Sequence, residues 1–298
     1  MAYSSGGLIQ ATDYNGFAAS VNGLWGTGSG NSGYGQSTTV PTVTATTDTV
    51  TATQWATLIA RMQSMQQHQS NNTTGVPGQP TAGSVVTYLS TVSTCISTIT
   101  TNRLLTYANG TATATSNTNA TGWVTSATKT YTFTFASADQ ARYFFNCGGV
   151  LSLTTNGTTM SANSKSTYWS SFLTAGLNFF NLYANSTYRA GSGYTQNTFL
   201  SSQGFYNLTT TPTVYLQLTD SPSSADYTSN YLQVLCSVNA GGTVVTITLY
   251  AVDAAGDTFN DTVTGTFGTQ GIITPPETTY ISNTWGTPTI SNTVNTQS

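Results

Sequence analysis

Residues 231–252 have the sequence YLQVLCSVNAGGTVVTITLYAV, and this stretch decides the fold of the second half of the chain. Apolar residues alternate with polar ones on both sides of NAGG, a pattern that gives each flanking segment one apolar face. The turn at residues 239–242 is rich in Asn and Gly, the residues that a tight hairpin needs. The segment therefore predicts an antiparallel hairpin with one buried face.

Further strands are predicted around this hairpin, at Thr213–Leu218 and in KTYTFTF at residues 129–135. Two helices interrupt them: Ala138–Phe145, capped by Ser137, and Lys165–Tyr183 with its regularly spaced aromatic residues. Residues 108–121 are rich in Asn, Thr, Ala and Gly and are predicted to be a loop. The segment from Pro275 onward is predicted to be an extended arm or an edge strand.

The first 106 residues have helical periodicity. Thr12–Trp25 carries apolar residues at steps of three and four, with Thr12 or Asp13 as cap and Gly26 as end. Thr51 and Gln54 have capping-box spacing before a stripe made by Trp55, Leu58, Ile59, Met62 and Met65. A third helix is predicted at Val85–Leu105.

The sequence thus predicts an α+β protein with a helical N-terminal region at 1–106. A mostly antiparallel β domain with two inserted helices follows at 107–298.

Charged residues are scarce: 15 of 298, with six Lys or Arg, nine Asp or Glu and a net charge of −3. The 33 Ser and 63 Thr residues must instead cover much of the surface. Side-chain catalysis depends on acids, bases and nucleophiles, so this composition argues against an enzyme. Six scattered cations also predict no nucleic-acid partner. We expect no membrane partner either, because basic amphipathic helices and long apolar runs are missing. The N-terminus does not resemble a signal peptide.

Candidate metal and catalytic groups are few, and no cofactor is predicted. His68, the only histidine, falls near a helix end and is expected to be solvated or bound to terminal carbonyls. Asp253, Asp257 and Asp261 are spaced four apart, unlike an EF-hand. We interpret them as a solvated loop, with calcium binding as the alternative.

The cysteines Cys95, Cys147 and Cys236 show no zinc spacing and are predicted to be three buried thiols. One disulfide with a spare thiol is the alternative. The glycine-rich segment GTGSGNSGYGQS, residues 26–37, formally contains G-x-G-x-x-G. A helix precedes it where a nucleotide loop needs a strand, so it is interpreted as a connector.

Three tyrosines in loop-like sequence, Tyr188, Tyr194 and Tyr206, lie near Asn and Gln. Aromatic rings stack on sugar rings and amides bond their hydroxyls, so a host surface glycan is a possible partner. Tyrosine is equally common at protein interfaces, and that alternative stays open.

Several strings occur together in this order: GTGSGNSGYGQS (26–37), TQWATLIARMQSMQQHQ (53–69), TTNRL (100–104), ARYFFNCGG (141–149) and NYLQVLC (230–236). With the 165–183 segment they resemble virion structural proteins of tailed bacteriophages, a group found among phages of marine bacteria and cyanobacteria. The resemblance spans roughly residues 12–255, and ARYFFNCGG and the Trp55–His68 segment are its most specific parts.

The resemblance implies a particle component of the tail, neck or fibre, made in the host cytoplasm and without catalysis. We expect a homo-oligomer, with the trimer favoured, that binds other virion proteins. Trp25, Trp55 and Met62 are the candidate contact residues of the helical region. Arg142 is expected to pair with Asp139 or to bind carbonyls of a neighbouring subunit. The alternatives are a glycan-binding receptor module, a capsid decoration protein, a surface-layer protein and an envelope-degrading hydrolase.

Overall fold

The computed structural model describes residues 11–44, 49–83, 86, 89–119, 122–219, 227, 229–254 and 262–297. Over these residues the chain is α+β, with helices first and a β-rich part after them, so the predicted fold class is confirmed. All strand pairs in the described part are antiparallel.

The described residues form five α-helices and eleven strands. The helices are α1 (Ala11–Trp25), α2 (Ala52–Ser70), α3 (Leu89–Thr101), α4 (Ala138–Asn146) and α5 (Ser164–Ser171). The strands are β1 (Thr113–Asn119), β2 (Ser126–Thr134), β3 (Val150–Thr155), β4 (Phe179–Leu182), β5 (Thr187–Arg189), β6 (Thr195–Phe199), β7 (Thr213–Thr219), β8 (Tyr231–Val238), β9 (Val244–Val252), β10 (Phe267–Thr274) and β11 (Thr289–Gln297).

The chain divides into two compact units. The helical unit takes Met1–Gly110, Arg142–Gly148 and Pro276–Trp285. The β unit takes Thr111–Ala141, Gly149–Pro275 and Gly286–Ser298. The sequence predicted a single boundary between residues 106 and 107. The helical unit instead also includes two short segments from later in the chain.

In the helical unit, α1, α2 and α3 pack their predicted apolar stripes together. The Tyr14 and Trp55 rings meet edge to face with centroids 5.5 Å apart, and Met62 and Met65 are fully buried. Burying each such side chain contributes roughly 1.5–3 kcal/mol. This packing stabilises helices whose Thr and Ser content gives them modest intrinsic propensity.

The helix ends follow local chemistry. The Gln54 backbone N–H donates to Thr51 Oγ1 at 3.3 Å and the Thr51 N–H donates to Gln54 Oε1 at 2.8 Å, which confirms the capping box. Helix α1 ends at Trp25 before Gly26, as predicted, but begins at Ala11, so Thr12 and Asp13 lie inside it. Helix α3 is shorter than predicted, and residues 84, 85, 87 and 88 lie outside the described residues.

In the β unit, the strands form a sheet ordered β1-β10-β3-β4-β5 and a second ordered β11-β2-β9-β8-β7-β6. Strands β8 and β9 pair from Tyr231↔Val252 to Val238↔Val245, and the Gly242 N–H donates to Asn239 O at 2.9 Å in the turn. The predicted hairpin is therefore confirmed. Strand β9 alternates buried and half-buried residues along its whole length, as a strand with one core face should.

The two sheets of this unit pack face to face. The hydroxyls of Tyr131 on β2 and Thr269 on β10 lie 2.8 Å apart across the interface. Gly271 on β10 has no side chain where a Cβ would lie 2.6 Å from both Tyr131 and Ile290. The glycine thus permits close approach of the two layers at this point.

Two predictions of local structure were wrong. The helix predicted at Lys165–Tyr183 ends early: α5 continues as a π-helical turn at Phe172–Leu177, and Asn178 adopts a left-handed φ of 52°. The chain then forms β4, in which Phe180 and Leu182 point inward and their neighbours do not. An apolar spacing of two fits a strand, and pairing with β3 decides between the two interpretations.

The second error concerns residues 108–121, which were predicted to be a loop. Residues Thr113–Asn119 form β1, which pairs with β10 from Thr113↔Ile273 to Asn119↔Phe267. The strand has no apolar face, so periodicity could not reveal it, and the hydrogen bonds to β10 supply the order. The predicted C-terminal edge strand is confirmed by β11.

Candidate functional site

The predicted contact residues of the helical region lie in its interior. Trp25, Trp55 and Met62 are almost completely inaccessible to solvent. The Arg61 guanidinium lies over the Trp25 ring, 5.0 Å from its centroid, and the Trp55 ring packs against α1. In this arrangement the three side chains stabilise the unit and offer almost no surface to another subunit. Their role in subunit contacts remains a prediction.

Arg142 binds the glycine-rich segment of its own chain. Its two terminal nitrogens donate to the carbonyls of Ser32 at 2.9 Å and Thr27 at 2.8 Å. One turn later, Asn146 Nδ2 donates to Gly33 O at 2.9 Å. The motif ARYFFNCGG therefore holds the segment GTGSGNSGYGQS through its backbone carbonyls, which makes this segment an ordered connector.

His68 is not at the solvated helix end that the sequence predicted. Its ring is fully buried, with Nδ1 2.6 Å from Glu277 Oε1 and Nε2 3.1 Å from the carbonyl oxygen of Cys147. The ring thus lies between a carboxylate oxygen and a backbone carbonyl oxygen, and both ring nitrogens have a partner within the protein.

Glu277 is fixed by further hydrogen bonds. Its Oε2 accepts from the backbone N–H groups of Thr279 at 2.5 Å and Tyr280 at 3.1 Å. Burial opposes ionisation of this carboxyl, but the hydrogen bonds from His68 and the backbone lower its pKa on balance. Both sides of the ion pair are occupied by the protein itself, so we assign the pair a structural role.

The three cysteines are buried free thiols, which confirms that prediction. Burial raises the pKa of each, to about 11 for Cys95, and the carboxylate of Glu277 raises that of Cys147 further. A thiol held in its neutral form is a poor nucleophile. Cys95 borders a shallow groove of about 260 Å³ between α2 and α3 that is lined by Thr, Ser, Gln and Gly.

Asp253, one of the three candidate calcium ligands, has its carboxylate in the protein interior. This carboxylate forms an ion pair with the equally buried ammonium of Lys165. Asp257 and Asp261 lie outside the described residues. Elsewhere, within the described residues, no group of three or more His, Cys, Asp or Glu side chains is placed to hold a metal ion.

Both lysines of the chain are buried in the β unit. Lys129 on β2 donates to the side-chain oxygen of Asn117 on β1 at 3.3 Å and lies 5.0 Å from the centroid of the Phe267 ring. Burial lowers the pKa of this amine from 10.5 to about 8. Lysine side chains normally lie at the surface, whereas both lysines of this chain lie in the interior.

An aromatic patch lies on the outer face of β4 and β5; we refer to it as the β4–β5 patch. Tyr188 is 51% exposed, lies opposite Asn181 and contacts the Phe179 ring, whose centroid is 5.8 Å from its own. Of the other predicted tyrosines, Tyr194 stacks on Phe172 at 4.4 Å and Tyr206 lies in a short 3₁₀ turn against Phe205. The structure therefore does not combine the three into one exposed surface.

A second surface is formed by two sheet edges on one side of the β unit. Strand β1 ends one sheet and β11 ends the other, and Asn292 Nδ2 donates to Ser116 O at 3.2 Å between them. Neither TATSNTN nor TISNTVNTQ contains a charged residue or proline. We call this surface the β1/β11 edge. It lacks the Lys and Pro residues that proteins commonly use to block strand addition.

Searches of protein-family models, curated proteins and solved structures return no match to this chain. Among the described residues, no helix combines the length and apolar character needed to cross a bilayer.

Proposed function

We propose that this chain is a non-enzymatic structural component of a tailed-phage virion that acts as a homo-oligomer in the tail, neck or fibre. The trimer is the favoured state, and other virion proteins are its partners. The observation that carries the proposal is the β1/β11 edge. Two adjacent edge strands of seven and nine residues each pair with a neighbouring strand on one side only in the described sheets, and they carry no charge to oppose a second chain.

The chemistry of the described residues supports a structural role. The only imidazole is buried in an ion pair, and the three thiols are buried and neutral. These groups are the usual bases and nucleophiles of enzymes, and here each is engaged in the interior. The resemblance of ARYFFNCGG and its companion strings to phage virion proteins supports the same proposal.

The surface composition also suits assembly. A surface covered by hydroxyls and amides, with 15 charges in 298 residues, creates little electrostatic repulsion between copies. Threonine is common in strands, and its side chains form hydrogen bonds across strand pairs, as Thr132 and Ser291 do at 2.6 Å. Neighbouring subunits could extend the sheets with the same chemistry.

The test is the solution mass of the purified chain by size-exclusion chromatography with light scattering. We expect a trimer or a larger ring. The double variant Thr118→Lys and Thr289→Lys adds charge to exposed positions of β1 and β11 and should dissociate it. Thr213→Lys, at an exposed position on the interior strand β7, is the matched control and should remain assembled.

A monomeric native chain would contradict self-assembly and favour a capsid decoration subunit that folds onto a preformed particle. Dissociation by Thr213→Lys as well would show that added charge, and not the edge, disrupts the oligomer.

The β4–β5 patch supports a second candidate function, recognition of a host surface glycan. Exposed Tyr188 beside Phe179 and Asn181 combines ring faces with an amide, which is the chemistry that sugar rings require. Binding to a glycan array that is lost on Tyr188→Ala and retained on Tyr107→Ala, another exposed tyrosine, would support it. Native protein that binds no sugar on a broad array would exclude it.

A further inference from the structure

The buried pair Lys165–Asp253 has an arrangement that costs free energy as an ion pair. Both side chains are almost fully buried, at the start of α5 and just after β9. Two charges removed from water need several hydrogen bonds to compensate their lost hydration. Oδ1 of Asp253 has no hydrogen-bond partner among the described residues. A buried carboxylate oxygen without a partner is especially unfavourable.

The amine and the carboxyl group are already in contact. Lys165 Nζ is in direct contact with Asp253 Oδ2 and lies 3.4 Å from the carbonyl oxygen of Val124. Asp253 is held in place by its backbone N–H, which donates to Thr125 O at 2.9 Å. Groups held in contact in one geometry gain the advantage of an intramolecular reaction.

Two buried tryptophans lie near the pair in the sequence. Trp123 precedes Val124 in the chain, and Trp169 lies one turn after Lys165 on α5. Their buried rings meet with centroids 4.7 Å apart. Burial removes the hydration that an ion pair needs, and this cost is absent in an uncharged product. The neutral amine is the nucleophilic form of lysine.

We propose that Lys165 and Asp253 condense into an intramolecular isopeptide bond. The ammonium first transfers a proton to the carboxylate, which leaves a neutral amine and a carboxylic acid. The Nζ lone pair then attacks Cγ of Asp253, the bond from Cγ to the hydroxyl oxygen breaks, and that hydroxyl leaves with a proton from nitrogen as one water molecule. The atoms and charges balance without an oxidant or another reactant.

The product removes the unfavourable features of the pair. Both charges disappear, and the amide N–H that remains can donate to Val124 O, which already faces Nζ. The bond joins α5 to the end of β9 and closes a covalent loop through the β unit. This inference rests on the geometry of that unit and is independent of the proposed virion function.

The distribution of trypsin sites makes the test direct. Trypsin cleaves after Lys and Arg, and residues 190–298 contain neither. The denatured native chain should yield residues 143–189 still attached to residues 190–298, with no cleavage after Lys165. The mass of this joined fragment should be the sum of the two peptides minus one water molecule. Because the joined fragment contains only residues from 143 onward, processing of the N-terminus cannot change its mass.

Lys165→Arg is the matched control because it keeps the positive charge but does not form this amide. Its digest should release residues 143–165, 166–189 and 190–298 separately, at full mass. Release of the same three separate peptides from the native chain would overturn the proposal and leave only an ion pair. A joined fragment that excludes Asp253 on fragmentation would also overturn it.

Lys129 provides a second reference in the same digest. It faces the amide of Asn117, and condensation there would release ammonia from the separate fragment 104–142. We expect normal cleavage after Lys129. Loss of ammonia in that fragment, with Lys165 cleaved, would place a bond at the wrong lysine and overturn the assignment.

Discussion

At the scale of single residues, the rarity of charge makes each buried ionisable group conspicuous. The ion pairs His68–Glu277 and Lys165–Asp253 and the hydrogen-bonded pair Lys129–Asn117 place both lysines, the only histidine and the only glutamate in the protein interior. A charged group on the surface contributes little to stability, whereas removing one partner of a buried pair leaves the other uncompensated. Point substitutions at these positions should therefore have large effects.

Glu277→Gln should lower the free energy of unfolding by about 3 kcal/mol, because it leaves His68 without its charged partner. Urea unfolding at neutral pH measures the change. Asp139→Asn makes the same charge change at an exposed position of α4 and should cost less than about 1 kcal/mol. Equal effects of the two substitutions would contradict the structural role of the ion pair.

The pKa of Glu277 is lowered in the folded chain, so the folded state binds fewer protons than the unfolded state near that pKa. The stabilisation is present above the ordinary carboxyl pKa of 4.5 and is lost as pH falls through the lowered value. The stability difference between the native chain and Glu277→Gln should accordingly shrink in acid. A difference that is constant down to pH ~2 would contradict this coupling.

The buried amine of Lys129 makes stability depend on pH in the alkaline range. Its pKa is lowered from 10.5 to about 8, so the unfolded chain binds more protons between those values. The stability contributed by Lys129 should rise as pH increases from about 8 towards 10.5, whereas the three buried thiols, whose pKa values are raised, act in the opposite direction. The native chain should therefore gain stability relative to Lys129→Met across this range, as measured by thermal unfolding of both proteins. A difference between the two that does not change with pH would contradict the lowered pKa of this amine.

At the scale of elements, short-range chemistry accounts for the hairpin and the helix caps. Asn239 Oδ1 accepts from the N–H groups of Thr243 at 2.8 Å and Val244 at 3.0 Å, and the turn contains Gly242 at φ +67°. Such turns need residues that tolerate left-handed backbone and side chains that bond locally. The alternation in β8 and β9 then sets their register.

Asn239→Ala should destabilise the β unit by about 1–2 kcal/mol, since two backbone N–H groups lose their acceptor. The midpoint of thermal unfolding provides the measurement. Ser201→Ala, at an exposed loop position, serves as the control and should change stability by no more than about 0.5 kcal/mol. A neutral Asn239→Ala would mean that water replaces the side chain in the turn.

At the scale of the whole molecule, low charge and polar strands determine how copies meet. Exposed charges are screened over about 10 Å at 0.1 M salt, and this chain has few of them. An oligomer built through backbone hydrogen bonds at the β1/β11 edge should therefore depend little on ionic strength.

We expect the mass of the assembled protein, measured by analytical ultracentrifugation, to be the same at about 0.01 and about 1 M salt. Dissociation at high salt would show that ion pairs hold the subunits together and would contradict the proposed edge contact.

Near the isoelectric point of 4.7 the remaining net charge vanishes, and solubility should reach its minimum.

The sequence by itself determined the α+β class, the capping box of α2, the end of α1, the hairpin between β8 and β9, and the burial of the thiols. Each of these depends on residues within a few positions of one another or on apolar burial, so a local pattern contains the information. Tertiary structure decided the rest. Strand β1 has no apolar face and is ordered by β10, and the π-helical turn after α5 ends where β4 pairs with β3.

The buried pairs also needed tertiary structure, since His68 and Glu277 are 209 positions apart in the chain. No spacing rule connects residues at that separation, and only the folded chain brings Lys165 into contact with Asp253. The sequence revealed that charges are scarce, while the fold revealed that the most informative of them face one another inside the protein.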